Sequence, residues 1–172
     1  MKVKMNATHG LFSLILEPDE LDILKPNEKV SLGSKMVEIN LPWQLDPDTI
    51  HPDHLALCIM MITHPFVGKV LTFPKPVSQR FYDFHHSKST RYTIGPVDET
   101  LEPWSPSENS RPGLAFSGGV DSTAALALMP PTTAAIFMDR PIRKKSLYDK
   151  DAAHHSCLEV ERLGYDMHVI LC

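Results

Sequence analysis

The sequence holds only three cysteines, Cys58, Cys157 and Cys172, and they form neither a CxxC pair nor the spacing of a disulfide framework. That excludes a small disulfide-stapled secreted scaffold and makes a reduced compartment the simpler reading. Long apolar runs are also missing. The longest, residues 55–62, falls far short of the roughly 20 residues a membrane-spanning helix needs. The N-terminal MKVKMNATHG has two lysines but no apolar core of signal-peptide length. Neither sign of charge dominates: the net charge of −4 gives no electrostatic argument for nucleic acid or an acidic membrane, although a local RNA-binding patch stays open. Two common phosphate loops, GxxxxGK[ST] and GxGxxG, are absent. With 42% hydrophobic residues in a chain of 172, the expectation is a soluble cytoplasmic protein of one domain, or one domain plus a small partner.

What is present falls into three stretches. Residues 1–94 predict a small mixed α/β region. A strand is expected over 11–16, and two more over 30–32 and 35–39 around a Gly33-Ser34 hairpin turn. A helix starts near Ile50-His51-Pro52-Asp53, and its Leu55, Cys58, Ile59, Ile62 stripe, with Leu57, Met60 and Met61, predicts burial nearly all round. A short strand over 70–73 stops before Pro74 and Pro76, a short helix covers 78–86, and Tyr92-Thr93-Ile94 ends the region. Most of the fifteen prolines precede residue 113, and they favour short strands and turns over long helices. Residues 95–112, with Pro96, Pro103, Pro106 and Pro112 among polar residues, predict a linker.

Residues 113–172 predict strand, helix, strand, helix, strand, which is half of a doubly wound parallel sheet of the Rossmann-like type. Leu114, Ala115 and Phe116 end the first strand. A helix over 120–129 is stopped by Pro130-Pro131, a buried strand covers 134–138, and residues 140–145 make a basic loop. Ser146 with Asp149 resembles a capping box for a helix whose inward stripe is Ala153, Cys157 and Val160 and whose stop is Gly164. The last strand covers 167–172. Right-handed crossovers place the second strand beside the first and the third beyond it, leaving the far edge of the first strand open. The expectation is therefore a truncated domain, or an edge covered by a partner, a second copy or the N-terminal region.

Between the first strand and its helix lies Ser117-Gly118-Gly119-Val120-Asp121-Ser122-Thr123. Helix N-terminal amides lack internal partners, and the helix dipole favours anions there. Glycines let a backbone approach phosphate oxygens closely. Residues 117–122, SGGVDS, resemble the SGGxDS signature of the PP-loop ATP pyrophosphatases, the adenine nucleotide α-hydrolase-like (HUP) superfamily. The resemblance covers residues from about 112 to 172 and no part of 1–111. It implies binding of ATP with Mg²⁺, adenylation of an acceptor oxygen, release of pyrophosphate, and displacement of AMP by a nitrogen or sulfur nucleophile. The acceptor is an unidentified small molecule or tRNA. The alternatives are a tRNA sulfurtransferase of the same superfamily and a nucleotide-binding module without turnover.

On that resemblance the amides of Gly118, Gly119 and Val120 face pyrophosphate, and the hydroxyls of Ser117, Ser122 and Thr123 donate to its oxygens, where charge builds in the transition state. Asp121 either binds Mg²⁺ or its water, or caps free helix amides. Ala115, Phe116 and the strand end from Phe137 through Met138 to Asp139 flank adenosine. Arg140, Arg143, Lys144 and Lys145 reach phosphate, or form a solvated basic loop. The nine histidines build no recognisable metal set: His51 and His54 lack HExxH, and His154 with Cys157 lacks further ligands. Cys157 reads as core. Trp43, Trp104 and Phe81-Tyr82 have the faces to stack on a base but read first as packing.

Overall fold

The structure, a computed structural model, describes residues 1–8, 10–40, 44–89, 91–140 and 148–171. The chain is α/β, with both parallel and antiparallel strand pairs. It divides into two compact units, Met1–Glu38 with Trp43–Ser105, and Ile39–Pro42 with Pro106–Cys172. Among the described residues no helix is long and apolar enough to cross a membrane.

The first unit holds β1 (Lys2–Thr8), β2 (Leu11–Glu17), α1 (Pro52–Thr63), β4 (Val70–Ser78), α2 (Gln79–Lys88) and β5 (Thr93–Asp98), with β3 (Met36–Asn40) passing from the first unit into the second. The strand order is β5-β4-β1-β2: β1 is antiparallel to β2 and parallel to β4, which is parallel to β5. Strand β1 was not among the expected elements. Lys2 and Lys4 point outward and Val3 inward, the period-2 pattern of a half-buried strand. Val3, Leu14, Leu16, Ile59, Leu71 and Val77 are all buried.

Several expectations for this unit need correction. No strand forms at 30–32. Asn27 Oδ1 accepts from the amides of Lys29 and Val30, and Ser34 Oγ bonds both the amide and the carbonyl of Met36. These side chains satisfy locally the backbone groups a hairpin would have paired. Strand β4 does not stop at Pro74 but runs through Pro76 to Ser78. Its register with β5 shifts between Thr72 and Val77, so the prolines sit in an irregularity that asks no ladder bond of them. Strand β5 continues through Pro96, as an edge strand permits. Helix α1 buries one face, Leu55, Ala56 and Ile59, while Leu57 is 51% and Met61 77% exposed, so it is not enclosed all round.

The second unit holds β6 (Gly113–Phe116), α3 (Val120–Leu128), β7 (Ala134–Asp139), α4 (Lys150–Arg162) and β8 (Asp166–Leu171). Strands β6, β7 and β8 are parallel in the order β8-β7-β6, and Asn40 pairs antiparallel with Leu171 on the outer side of β8. No strand among the described residues pairs with the other edge of β6. Leu126 of α3 and Ala153, Cys157 and Val160 of α4 form one core with Phe116, Ala135 and Phe137, so both helices cover the same sheet face. The expected Ser146 lies outside the described residues; the N-cap of α4 is Asp149, whose carboxylate accepts from the Ala152 amide at 3.0 Å. Gly164 follows α4 with φ +89°, the left-handed stop that glycine takes without strain.

Candidate functional site

The loop that joins β6 to α3 is built by its own hydroxyls. Gly119 is the N-cap of α3 and offers no capping side chain. Its carbonyl instead collects three donors: Ser122 Oγ at 3.0 Å, Thr123 Oγ1 at 3.0 Å and the Thr123 amide at 3.1 Å. Ser122 Oγ in turn accepts from the Ser117 amide at 3.2 Å and lies 3.1 Å from Ser117 Oγ. Ser122 is buried, and its single proton is given to Gly119. It therefore holds the loop closed, as does Thr123. Ser117 and Thr123 are both exposed, but Thr123 is committed to Gly119, whereas the Ser117 hydroxyl, set against Ser122 Oγ and accepting from the Gly119 amide at 3.4 Å, can exchange its partner for a ligand.

The two glycines do different jobs. Gly118 has φ +77°, and a Cβ there would stand 2.7 Å from Ala153 Cα and 2.9 Å from its Cβ. Both its conformation and the packing of α4 against the loop demand glycine. Gly119 has φ −90°, and a Cβ there would meet nothing closer than Ser117 Oγ at 3.5 Å. Neither the fold nor its neighbours require glycine at 119. What an added methyl would enter is the space in front of the loop.

Beyond Gly119, the amides of Val120, Asp121 and Ser122 belong to the first turn of α3, where no helical carbonyl reaches them. Asp121 lies exposed in that turn and makes no hydrogen bond or ion pair among the described residues. Its carboxylate is not used to cap the helix. Chemically the loop offers amide donors at the positive end of a helix, one exposed and exchangeable hydroxyl and one free carboxylate. That set suits a polyanion carrying a divalent cation, because Mg²⁺ is held by one or two carboxylates together with phosphate oxygens.

Two concavities flank the loop. One, of about 200 Å³, brings together Ala115, Phe116, Ser117, Met138, Arg140 and Tyr148 at the C-terminal ends of β6 and β7. The other, of about 480 Å³, is lined by Gly118, Gly119, Val120, Thr123, Ala127 and Ser156. The residues picked out by sequence thus gather around one loop, with Asp121 beside rather than inside either hollow. Arg143, Lys144 and Lys145 lie outside the described residues. Among the described residues no group of three or more His, Cys, Asp or Glu side chains is placed to hold a metal ion.

Sequence reasoning named Asp139 only as part of the strand end flanking adenosine and missed the contacts that support this site. Tyr148 donates its hydroxyl to the Ser117 carbonyl at 3.3 Å. Asp139, at the end of β7 and only 9% exposed, takes Lys150 Nζ at 2.5 Å and His154 Nε2 at 3.2 Å. The Lys150 ammonium, then the His154 ring, hold the Asp139 carboxyl below its usual range against the opposing effect of burial. His154 also meets Phe137 edge-on, with ring centroids 5.4 Å apart. The one available signal was position: Lys150 and His154 lie in the first turns of α4, the next element after β7. Cys157 is buried in the core, and burial raises its thiol pKa.

Comparison with known proteins finds no matching family model, no matching curated protein and no matching solved structure.

Proposed function

We propose that the second unit binds ATP with Mg²⁺ through residues 117–123 and serves an AMP-forming adenylation of an acceptor, as in the PP-loop ATP pyrophosphatases. The observation that carries this reading is the SGGVDS loop itself. It lies between a parallel strand and a helix, closed by Ser122 and Thr123 and with the helix amides left open. The parallel order β8-β7-β6, with α3 and α4 on one face, supports reading the unit as half of a doubly wound Rossmann-like sheet. The unpaired edge of β6 then faces the rest of the site, supplied by a further segment, a second copy or a partner.

In this reading the amides of residues 118–122 and the Ser117 hydroxyl hold the pyrophosphate portion, where fixed donors stabilise charge developing on the leaving group. Ala115, Phe116 and Met138 wall the adenosine, and Arg140 stands at its rim. Asp121 would hold Mg²⁺, which supplies neutralisation of phosphate charge. The acceptor is a small molecule or tRNA, and the cysteine usage favours a reduced compartment such as the cytoplasm.

The test is ATP binding and pyrophosphate release on the full-length protein. Gly119→Ala is the sharpest variant, because it preserves the loop and fills the space in front of it. Loss of Mg-ATP binding with an unchanged melting temperature is the expected result. Binding that survives both Gly119→Ala and a combined Ser117→Ala, Asp121→Ala variant would overturn the assignment. Binding without pyrophosphate formation against any acceptor would instead favour a nucleotide-sensing module.

A further inference from the structure

The first unit carries a concavity of its own that the loop chemistry does not use. It has a volume of about 320 Å³, near the lower end of small-ligand sites, and is lined by Asp53, His54, Arg80, Phe81, Phe84, Pro103 and Trp104. Sequence alone reads Trp104 and Phe81 first as packing and says nothing of Phe84, but Trp104 is 49% and Phe84 65% exposed. Large aromatic faces left in water beside polar groups mark contact surfaces more than core. The wall is fixed. His51 Nε2 lies 3.1 Å from the Glu102 carbonyl, and the His54 ring stands 4.6 Å from the Trp104 indole.

Two charges give the groove a polarity. Arg80 and Phe84 are four residues apart on α2 and so share a face. Arg80 has no hydrogen-bond or ion-pair partner among the described residues. Asp53 is fixed by the Ser78 amide at 2.8 Å and hydroxyl at 2.7 Å, and each carboxylate oxygen keeps further acceptor capacity. Aromatic faces take a flat ring, the carboxylate takes a ring amine, and an unpaired guanidinium takes a phosphate. The volume suits one such unit, not an extended chain.

We propose that this groove binds a nucleoside monophosphate unit, with its base stacked on Trp104 and Phe84 and its phosphate on Arg80. The unit is either a free mononucleotide or one residue of a single strand. The proposal rests on no residue of the second unit, so it stands or falls apart from the adenylation reading.

The experiment is quenching of Trp104 fluorescence in the full chain, with Trp43→Phe removing the other tryptophan. The probes are AMP, CMP, GMP and UMP, the matching nucleosides, inorganic phosphate and short single-stranded RNA. The expected result is saturable quenching by at least one monophosphate, bound at least about tenfold tighter than its nucleoside. Arg80→Gln is expected to erase that phosphate preference, and Phe84→Ala to weaken both forms. Tighter binding of RNA than of the monophosphate identifies a strand residue as the ligand; equal or weaker binding identifies the free nucleotide. No saturable quenching, full competition by inorganic phosphate alone, or Arg80→Gln binding unchanged would overturn the proposal. Quenching abolished by Gly119→Ala would overturn it too, since Trp104 would then be reporting the loop. Both substitutions in the groove are at exposed positions, and a circular dichroism melt separates loss of fold from loss of binding.

Discussion

Lys150 Nζ lies 2.5 Å from Asp139 Oδ1, joining the first turn of α4 to the end of β7 beside the glycine loop. The same carboxylate holds His154 Nε2 at 3.2 Å. One nearly buried acid therefore fixes an ammonium and an imidazole on the helix that packs against Gly118. Asp139→Asn is expected to destabilise the second unit by about 1–2 kcal/mol. That is less than a fully buried pair would cost, because Lys150 is partly exposed to water. The sign of the pH effect follows from the lowered carboxyl. Its contribution is complete above the unfolded carboxylate value, about 3.9, and is lost as pH falls through the lower folded value. Urea midpoints between pH 7 and pH 3 should fall less steeply on the acid side in the variant. Equal acid slopes in parent and variant would remove Asp139 from this role.

The loop glycines give a paired prediction. Gly118→Ala puts a β-carbon on a left-handed backbone, at a cost of about 1–2 kcal/mol, and drives it into Ala153 at 2.7–2.9 Å. A clear drop in melting temperature should follow. Gly119→Ala meets neither penalty and should melt within a degree or two of the parent. If the two variants melted alike, the separation of roles between them would be wrong.

How far these features were legible in sequence depends on the distance over which each is decided. Residues 134–139 are a continuous apolar run closing on an acid, Pro130-Pro131 ends α3, and Gly164 ends α4; each is a local signal, and each matches the structure. Residues 70–78 were misread because prolines usually end strands, and only the register shift against β5 makes room for them. Strand β1 was passed over because its alternation needs β2 and β4 beside it to count as a strand. The grouping of Asp139, Lys150 and His154 was invisible for a similar reason. The residues come from β7 and α4, apart in the chain, and the parallel strand order is what sets them side by side. At the loop, the residue types SGGVDS were plain, but not that Ser122 and Thr123 spend their hydroxyls on Gly119.

Cysteine reactivity checks the core of the second unit. Cys58 is exposed and Cys157 buried, with burial, and secondarily the nearby Asp139 charge, raising the Cys157 thiol. The thiolate is the reactive form, so both access and ionisation protect Cys157. In a Cys172→Ser background, iodoacetamide at neutral pH should label Cys58 readily and Cys157 only after denaturation. Mass spectrometry of the labelled peptides reads the order directly. Equal labelling in the native state would contradict the packing of α4 onto β6 and β7.

His85 supplies a pH prediction for the first unit. It is 5% exposed, and neither ring nitrogen has a hydrogen-bond partner among the described residues. His64 and His86 face it with like charge when protonated, and Tyr92 stacks 5.1 Å away. Burial first, then those two rings, lowers its pKa below the ordinary 6.5. Above that value both folded and unfolded forms are neutral, and His85 adds no pH dependence. As pH falls below it, the unfolded ring takes a proton that the folded ring refuses, so stability declines until the folded value is reached. His85→Phe removes both the slope and two unpaired polar atoms. It should gain about 1 kcal/mol at pH 5 relative to the parent, and gain less at pH 8. Urea denaturation of the two proteins at both pH values measures this. A gain equal at the two pH values would show only repacking, and an unchanged slope would assign the acid sensitivity to other groups.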